Sequence, residues 1–258
     1  MPYLTNEPVY YEVKSPSDPM GTIVFAHGAG GNAAIWFNQL AYFSANYRVV
    51  AFDHRSFART KKPEAPLTTN QFRDDLLAIM DDLDVEKAHL VGQSMGGFTV
   101  LRTTIDCPER VATLTMSATS GGIYNPNPTN AVRNLTSSGD RNTDGVKATM
   151  SKATQAKPEL MQLYESINNF NVEFAWSNLS QLLGPEGAVP LETLGQISTN
   201  TLFIAGAEDP LFPSDTLASF VPHFGNARME VVSGAGHSPY FEQPEVFNHL
   251  LSRHIEES

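Results

Sequence analysis

The chain has 258 residues, 41% hydrophobic, 17% charged and 10% aromatic, with a net charge of −11 and one cysteine, Cys107. This length can bury roughly three quarters of its unfolded surface without a metal or disulfide staple, and the composition excludes collagen-like and disordered classes. The charge disfavours nonspecific binding to nucleic acid or anionic membranes, the lone cysteine excludes an internal disulfide framework, and no apolar run approaches the ~20 residues of a membrane helix.

The opening MPYLTNEPVYYEVK lacks the basic and apolar regions of a signal peptide, so a cytoplasmic location is expected. Its weak alternation predicts an antiparallel hairpin at a sheet edge. Thr22–His27 and Tyr47–Asp53 are short, β-branched runs without polar alternation, as in strands covered on both faces. Phe72, Leu76, Ile79, Met80 and Leu83 follow at helical spacing behind a Thr68/Gln71 capping box. Ala88–Gln93 is a third strand, Met95 to Cys107 a helix stopped by Pro108, and Val111–Ser117 a fourth strand. Thr201–Ala205 and Arg228–Val232 are the fifth and sixth, and Pro244 opens the last helix. The rhythm predicts an α/β fold with a doubly wound, mostly parallel sheet.

Residues 120–197 break that rhythm. Leu160, Leu163, Tyr164 and Ile167 after Pro158, and Val172, Ala175, Trp176 and Leu179 after Asn171, read as helices. An insertion this long after the fourth parallel strand is expected to be a helical cap over the carboxyl ends of the strands, where open α/β sheets bind ligands. Residues 1–119 and 198–258 then form the core. The plainer alternative is a helical excursion packed outside the sheet.

Ser94 lies in Gly92-Gln93-Ser94-Met95-Gly96, between a strand and a helix. G-x-S-x-G in this context forms a turn so sharp that side chains two residues either side of the serine would collide, and it projects the hydroxyl above the sheet. A serine hydroxyl is a weak nucleophile without a base, and a base neutral near pH 7 points to histidine. His237, in the Gly234–Pro239 loop after the sixth strand, emerges at the same sheet end as Ser94. His27 and His54 suit loop structure, His89 begins a strand at the opposite end, and His223, His249 and His254 suit solvated helices. Asp209 in the loop after the fifth strand is the orienting carboxylate, with Glu208 next. After the fourth strand, the alternative place for an acid, stand Ala118, Thr119 and Ser120.

The order Ser94, Asp209, His237 resembles that of the α/β-hydrolases. His27-Gly28-Ala29-Gly30-Gly31 resembles the family's oxyanion loop, Asp53-His54-Arg55 the start of its D-x-R-G-x-G-x-S stretch, and GHSPYFEQPEVF its base-to-last-helix segment. Together they suggest a capped, single-domain serine hydrolase with oxyanion donors at the backbone N–H groups of Ala29 and Met95 and with no cofactor. One departure stands out. Ser56 and Ala58 replace both glycines of R-G-x-G, which leaves room for a different loop backbone and pocket wall.

Trp36, Phe98, Tyr124, Trp176, Leu211 and Phe212 are candidates for an apolar pocket, although core packing accounts for each alone. Asp74, Asp75, Asp81, Asp82 and Asp84 read as a solvated acidic face rather than a metal site, and Arg55, Arg59, Lys61 and Lys62 as a solvated loop. The expected activity is hydrolysis of a small to medium, largely apolar carboxylic ester or lactone by a monomer or homodimer. Alternatives are C–C bond hydrolysis of a diketone, cofactor-free perhydrolysis, and slow-turnover ligand reception.

Overall fold

A computed structural model of the protein describes residues 3–4, 9–63, 66–124, 147–174, 182 and 187–258. Seven strands form one sheet: β1 (Tyr11–Lys14), β2 (Thr22–Ala26), β3 (Arg48–Phe52), β4 (Ala88–Gln93), β5 (Val111–Ser117), β6 (Thr201–Gly206) and β7 (Ala227–Val232). They lie in the order β1-β3-β2-β4-β5-β6-β7. Edge strand β1 is antiparallel to β3, and the other neighbours are parallel. An isolated antiparallel bridge joins Tyr3 to Tyr10, as the expected edge hairpin requires.

The inner strands β2 to β6 are buried on both faces, whereas edge strands β1 and β7 are largely half-buried, and alternate residues enter two separate cores. Ile23, Phe25, Val49 and Ala51 pack with Leu40 and Phe43 of α1 (Phe37–Phe43) and with Phe247 and Leu251 of the C-terminal helix. Val24, Ala26, Val50 and Phe52 pack with Leu76 and Ile79 of α2 (Thr69–Asp82) and with Val100 and Leu101 of α3 (Gly96–Asp106). Helices on both faces make the sheet doubly wound. Helix α2 opens with the full capping box: Gln71 N–H donates to Thr68 Oγ1, and Thr68 N–H donates to Gln71 Oε1.

Between β5 and β6, the described residues form an isolated parallel bridge between Ile123 and Val189, a single-turn helix at Lys152–Gln155, helix α4 (Pro158–Asn168) and a single-turn helix at Leu191–Leu194. Most of the second helical pattern, with Trp176, lies outside the described residues. Helix α5 (Pro244–Glu256) closes the chain with Pro244 in its first turn. Among the described residues, no helix is long and apolar enough to cross a membrane.

Three expectations need correction. His254 is not solvated: it is fully buried on α5 with Nε2 3.2 Å from the Leu114 carbonyl oxygen. Asp75 leaves the acidic face, being buried against the Arg55 guanidinium at 2.6 Å. Nor is Arg59 a solvated loop cation, since it pairs with the buried Asp53 carboxylate at 2.8 Å and with Glu12 at 2.9 Å.

Candidate active site

The parallel register aligns the carboxyl ends of the strands. Ala26 pairs with Gly92, Gln93 with Ser117, and Gly206 with Val232. The chain segments after β2, β4, β6 and β7 therefore leave the sheet at one edge. Ser94 emerges there with φ +49°, a left-handed conformation costly for a residue with a Cβ. The elbow explains its glycines. A Cβ on Gly92 would run into the Gly96 carbonyl and Val100, and one on Gly96 into the Ala26 carbonyl. The turn is held by Ser94 N–H donating to the Ser117 carbonyl at 3.0 Å and by Thr119 Oγ1 donating to the Ser94 carbonyl at 2.6 Å.

The fold brings Ser94, His237 and Asp209 into one chain of hydrogen bonds. His237 Nδ1 lies 3.0 Å from Asp209 Oδ2, and Nε2 lies 2.9 Å from Ser94 Oγ. An ionised carboxylate only accepts, so the network assigns the ring proton to Nδ1 and leaves Nε2 to take the serine hydroxyl. Asp209 is buried, and its Oδ1 accepts the backbone N–H groups of Leu211 and Phe212 at 2.8 and 3.1 Å. Those amides replace the water it has lost. Glu208, the neighbouring acid, is exposed and instead accepts the Lys152 N–H at 3.1 Å.

The glycine loop after β2 approaches this centre closely. A Cβ on Gly28 would overlap the Gln93 side chain and crowd the Ser94 Cβ. Ala29 follows Gly28, and Met95 stands at the N-terminus of α3. Among the described residues, neither backbone N–H is donated to a protein acceptor. Met95 also sits at the positive end of a helix dipole, which favours an anion.

The other histidines at this edge serve the scaffold. His54 N–H donates to His27 Nε2 at 3.0 Å, so the His27 proton sits on Nδ1 and is donated to the Gly28 carbonyl at 2.8 Å. Burial lowers the His27 pKa to about 4 and holds that of His54 well below its ordinary value. His54 Nε2 meets Thr99 Oγ1 at 2.8 Å.

Of the pocket candidates, Phe212 is half-buried and lies over the His237 ring, with centroids 5.9 Å apart. Phe98 and Leu211 are buried, and Tyr124 is exposed. Trp36 is fully buried, in the core packing that accounts for it alone, with its ring 4.3 Å from that of Tyr240 and 4.9 Å from that of Phe25. Trp176 lies outside the described residues.

The sequence reading missed two supports. Buried Glu242 accepts the Gly236 and Ser238 N–H groups, at 2.9 and 3.0 Å, on either side of His237, and the Ser151 N–H at 2.7 Å. Gln93 Nε2 donates to the His237 carbonyl at 2.9 Å. The position of Glu242 in GHSPYFEQPEVF, five residues after the histidine and opening no helix of its own, was the available signal.

Residues 21–244 match the family model described as the alpha/beta hydrolase fold. The chain belongs to that family. It is 27% identical over 234 residues to 3-oxoadipate enol-lactonase 2 of Acinetobacter baylyi, covering 89% of this chain and 86% of that protein. It is 29% identical over 257 residues to the 2-hydroxy-6-oxononadienedioate/2-hydroxy-6-oxononatrienedioate hydrolase of Paraburkholderia xenovorans, covering 89% and 85%. In fold it is similar to the crystal structure of an enol-lactonase from Burkholderia xenovorans, with TM-score 0.83, 20% identity and 98% of each chain covered. This α/β hydrolase is a hydrolase by kinship; its bond and substrate are separate questions.

Proposed function

We propose that the chain is a serine hydrolase that cleaves a small to medium, largely apolar carboxylic ester or lactone through an acyl-enzyme. The observation that carries this reading is the continuous path Ser94 Oγ, His237 Nε2, His237 Nδ1, Asp209 Oδ2, with both links within 3.0 Å. In the first step, His237 takes the Ser94 proton as Oγ attacks the carbonyl carbon. The oxyanion forms opposite the Ala29 and Met95 N–H groups. Collapse breaks the bond to the alcohol, which leaves with the proton from His237. Water, deprotonated by the same nitrogen, then attacks the acyl carbon; collapse breaks the bond to Ser94 Oγ, which takes the proton back from His237 as the acid is released. Residues 120–197 serve as the cap over this centre and 1–119 with 198–258 as its core, and no cofactor takes part.

A second reading, C–C bond hydrolysis of a diketone, is favoured by the likeness to the Paraburkholderia hydrolase. A p-nitrophenyl ester series from acetate to palmitate separates the two, with Ser94→Ala in parallel. Sustained turnover that peaks at one chain length and vanishes in Ser94→Ala is expected. A single burst, or no reaction beside turnover of a coloured diketone, would move the assignment to the C–C bond.

A further inference from the structure

The Ala29 donor sits in the softest kind of backbone. Gly28, Ala29, Gly30 and Gly31 follow β2 with no regular structure, and Gly30 takes φ +92°. A donor that stabilises an oxyanion has to be held within about 0.5 Å of its productive place. Part of the restraint is local: Gly31 N–H donates to the Gly28 carbonyl, and Ala34 N–H donates to Asn32 Oδ1, both at 3.0 Å.

The rest comes from more than 130 positions along the chain. Asn171 Nδ2 donates to the Gly31 carbonyl at 3.1 Å. Asn32 Nδ2 donates to the Ile167 carbonyl at 2.9 Å and meets Asn171 Oδ1 at 3.4 Å. Both asparagines are 1% exposed, while the flanking Phe170 and Val172 are 64% and 71% exposed. This reverses the usual order, in which the apolar residues turn inward and the amide outward. Burying an amide is unfavourable unless its hydrogen bonds are made, so it is these bonds that select the inward residue here.

We infer that Asn171 is a positioning residue for the Ala29 oxyanion donor, and that the segment following α4 thereby completes the donor loop. The inference rests on the reading of Ser94 as nucleophile and Ala29 as donor. The test compares wild type, Asn171→Ala and Asn171→Asp on a p-nitrophenyl ester and on its thiono counterpart, in which sulfur replaces the carbonyl oxygen. Sulfur is a larger and weaker acceptor, so the oxo-to-thiono rate ratio reports how well the donors fit oxygen. Deleting a donor outright costs ~10²–10³-fold in kcat; displacing one is expected to cost about tenfold, with KM within about twofold. The rate ratio is expected to fall in both variants, and because both substrates meet the same folded molecules, partial unfolding does not change it. An unaltered kcat, or a lower kcat with an unaltered ratio, would overturn the inference. Ser94→Ala in the same assay separates the two levels: if it is inactive while the Asn171 variants behave as wild type, only the positioning role fails; if it retains full activity, the reading beneath fails too.

Discussion

His27 and His237 occupy equivalent ground. Each follows a parallel strand at the carboxyl edge of the sheet, is buried, and has both ring nitrogens engaged. At His27 both partners are backbone groups: the Gly28 carbonyl and the His54 N–H. At His237 they are a carboxylate and a hydroxyl. A backbone N–H does not give up its proton near neutral pH, so the His27 ring is fixed as a neutral strut. In the proposed mechanism Ser94 passes its proton to the His237 imidazole, and the Asp209 carboxylate stabilises the imidazolium that results. Burial makes a histidine neutral, but its partners decide whether it serves as a base.

The largest expected effect comes from erasing that difference. In Asp209→Asn the amide can donate to Nδ1, which moves the ring proton to Nε2 and leaves it unable to accept from Ser94. A loss of ~10⁴-fold in kcat is expected, the magnitude this exchange has in serine protease triads. Melting and titration of the active-site serine would show whether the protein stays folded. Activity within about tenfold of wild type would mean that Asp209 does not set the tautomer of His237.

How far this comparison was legible in the sequence depends on the range of the interactions. Strands such as Ala88–Gln93 and Val111–Ser117 are written in local β-branched runs, and the Thr68/Gln71 capping box in a three-residue spacing. Ser94, Asp209 and His237 were legible because each follows a recognisable strand, and parallel strands bring their following loops to one edge. Asn171 was not: its partner Gly31 lies 140 positions away, and a lone asparagine has no pattern that announces burial. Glu242 was legible only through its place five residues after His237; its bonds to Gly236 and Ser238 are local, but that to Ser151 spans 91 positions. His254 misled for the same reason: composition could not say that packing against the sheet would cover it.

The second prediction sharpens the contrast from the scaffold side. The His27 pKa is lowered to about 4 from 6.5, and that of buried His254 likewise to about 4, both chiefly by burial. Each folded value lies below the unfolded one. The unfolded chain therefore binds a proton that the fold refuses, and stability is complete above about pH 6.5 and is lost as the pH falls towards about 4. For His27 the full loss is on the order of 3 kcal/mol. Urea unfolding at about pH 7.5 and about pH 5 checks this, with a lower midpoint expected at the acid end. His254→Gln, which keeps a donor for the Leu114 carbonyl but takes up no proton, is expected to flatten the slope. A midpoint constant across the range would mean that neither ring resists protonation.

The smallest effect compares two strained turns. Ser94 holds φ +49° between glycines that the elbow requires, whereas Ser56 and Ala58 hold φ +74° and +42° at the two positions where the R-G-x-G pattern that this stretch resembles has glycine. The replacement did not change the loop into one that ordinary residues prefer; the chain keeps the left-handed conformation and bears its cost. The surrounding contacts explain how. Phe57 between them is fully buried and stacks on Phe174 at 4.2 Å, and Phe57 N–H and Thr60 N–H donate to the His54 and Phe57 carbonyls at 2.9 Å. Ser56 Oγ is buried with no hydrogen-bond partner among the described residues. Glycine at either position relieves ~1–2 kcal/mol of left-handed strain and gives back ~0.5–1 kcal/mol through the freer unfolded chain. Ser56→Gly and Ala58→Gly are thus each expected to stabilise by about 0.5–1 kcal/mol, raising Tm by roughly 1–4 °C without a change in kcat. Ser94→Gly relieves the same kind of strain and removes the proposed nucleophile. If all three gained stability and only the last lost activity, the strain at 56 and 58 would be a structural cost and that at 94 a functional one; a lower Tm in Ser56→Gly or Ala58→Gly would show instead that the side chain there contributes more than its backbone conformation costs.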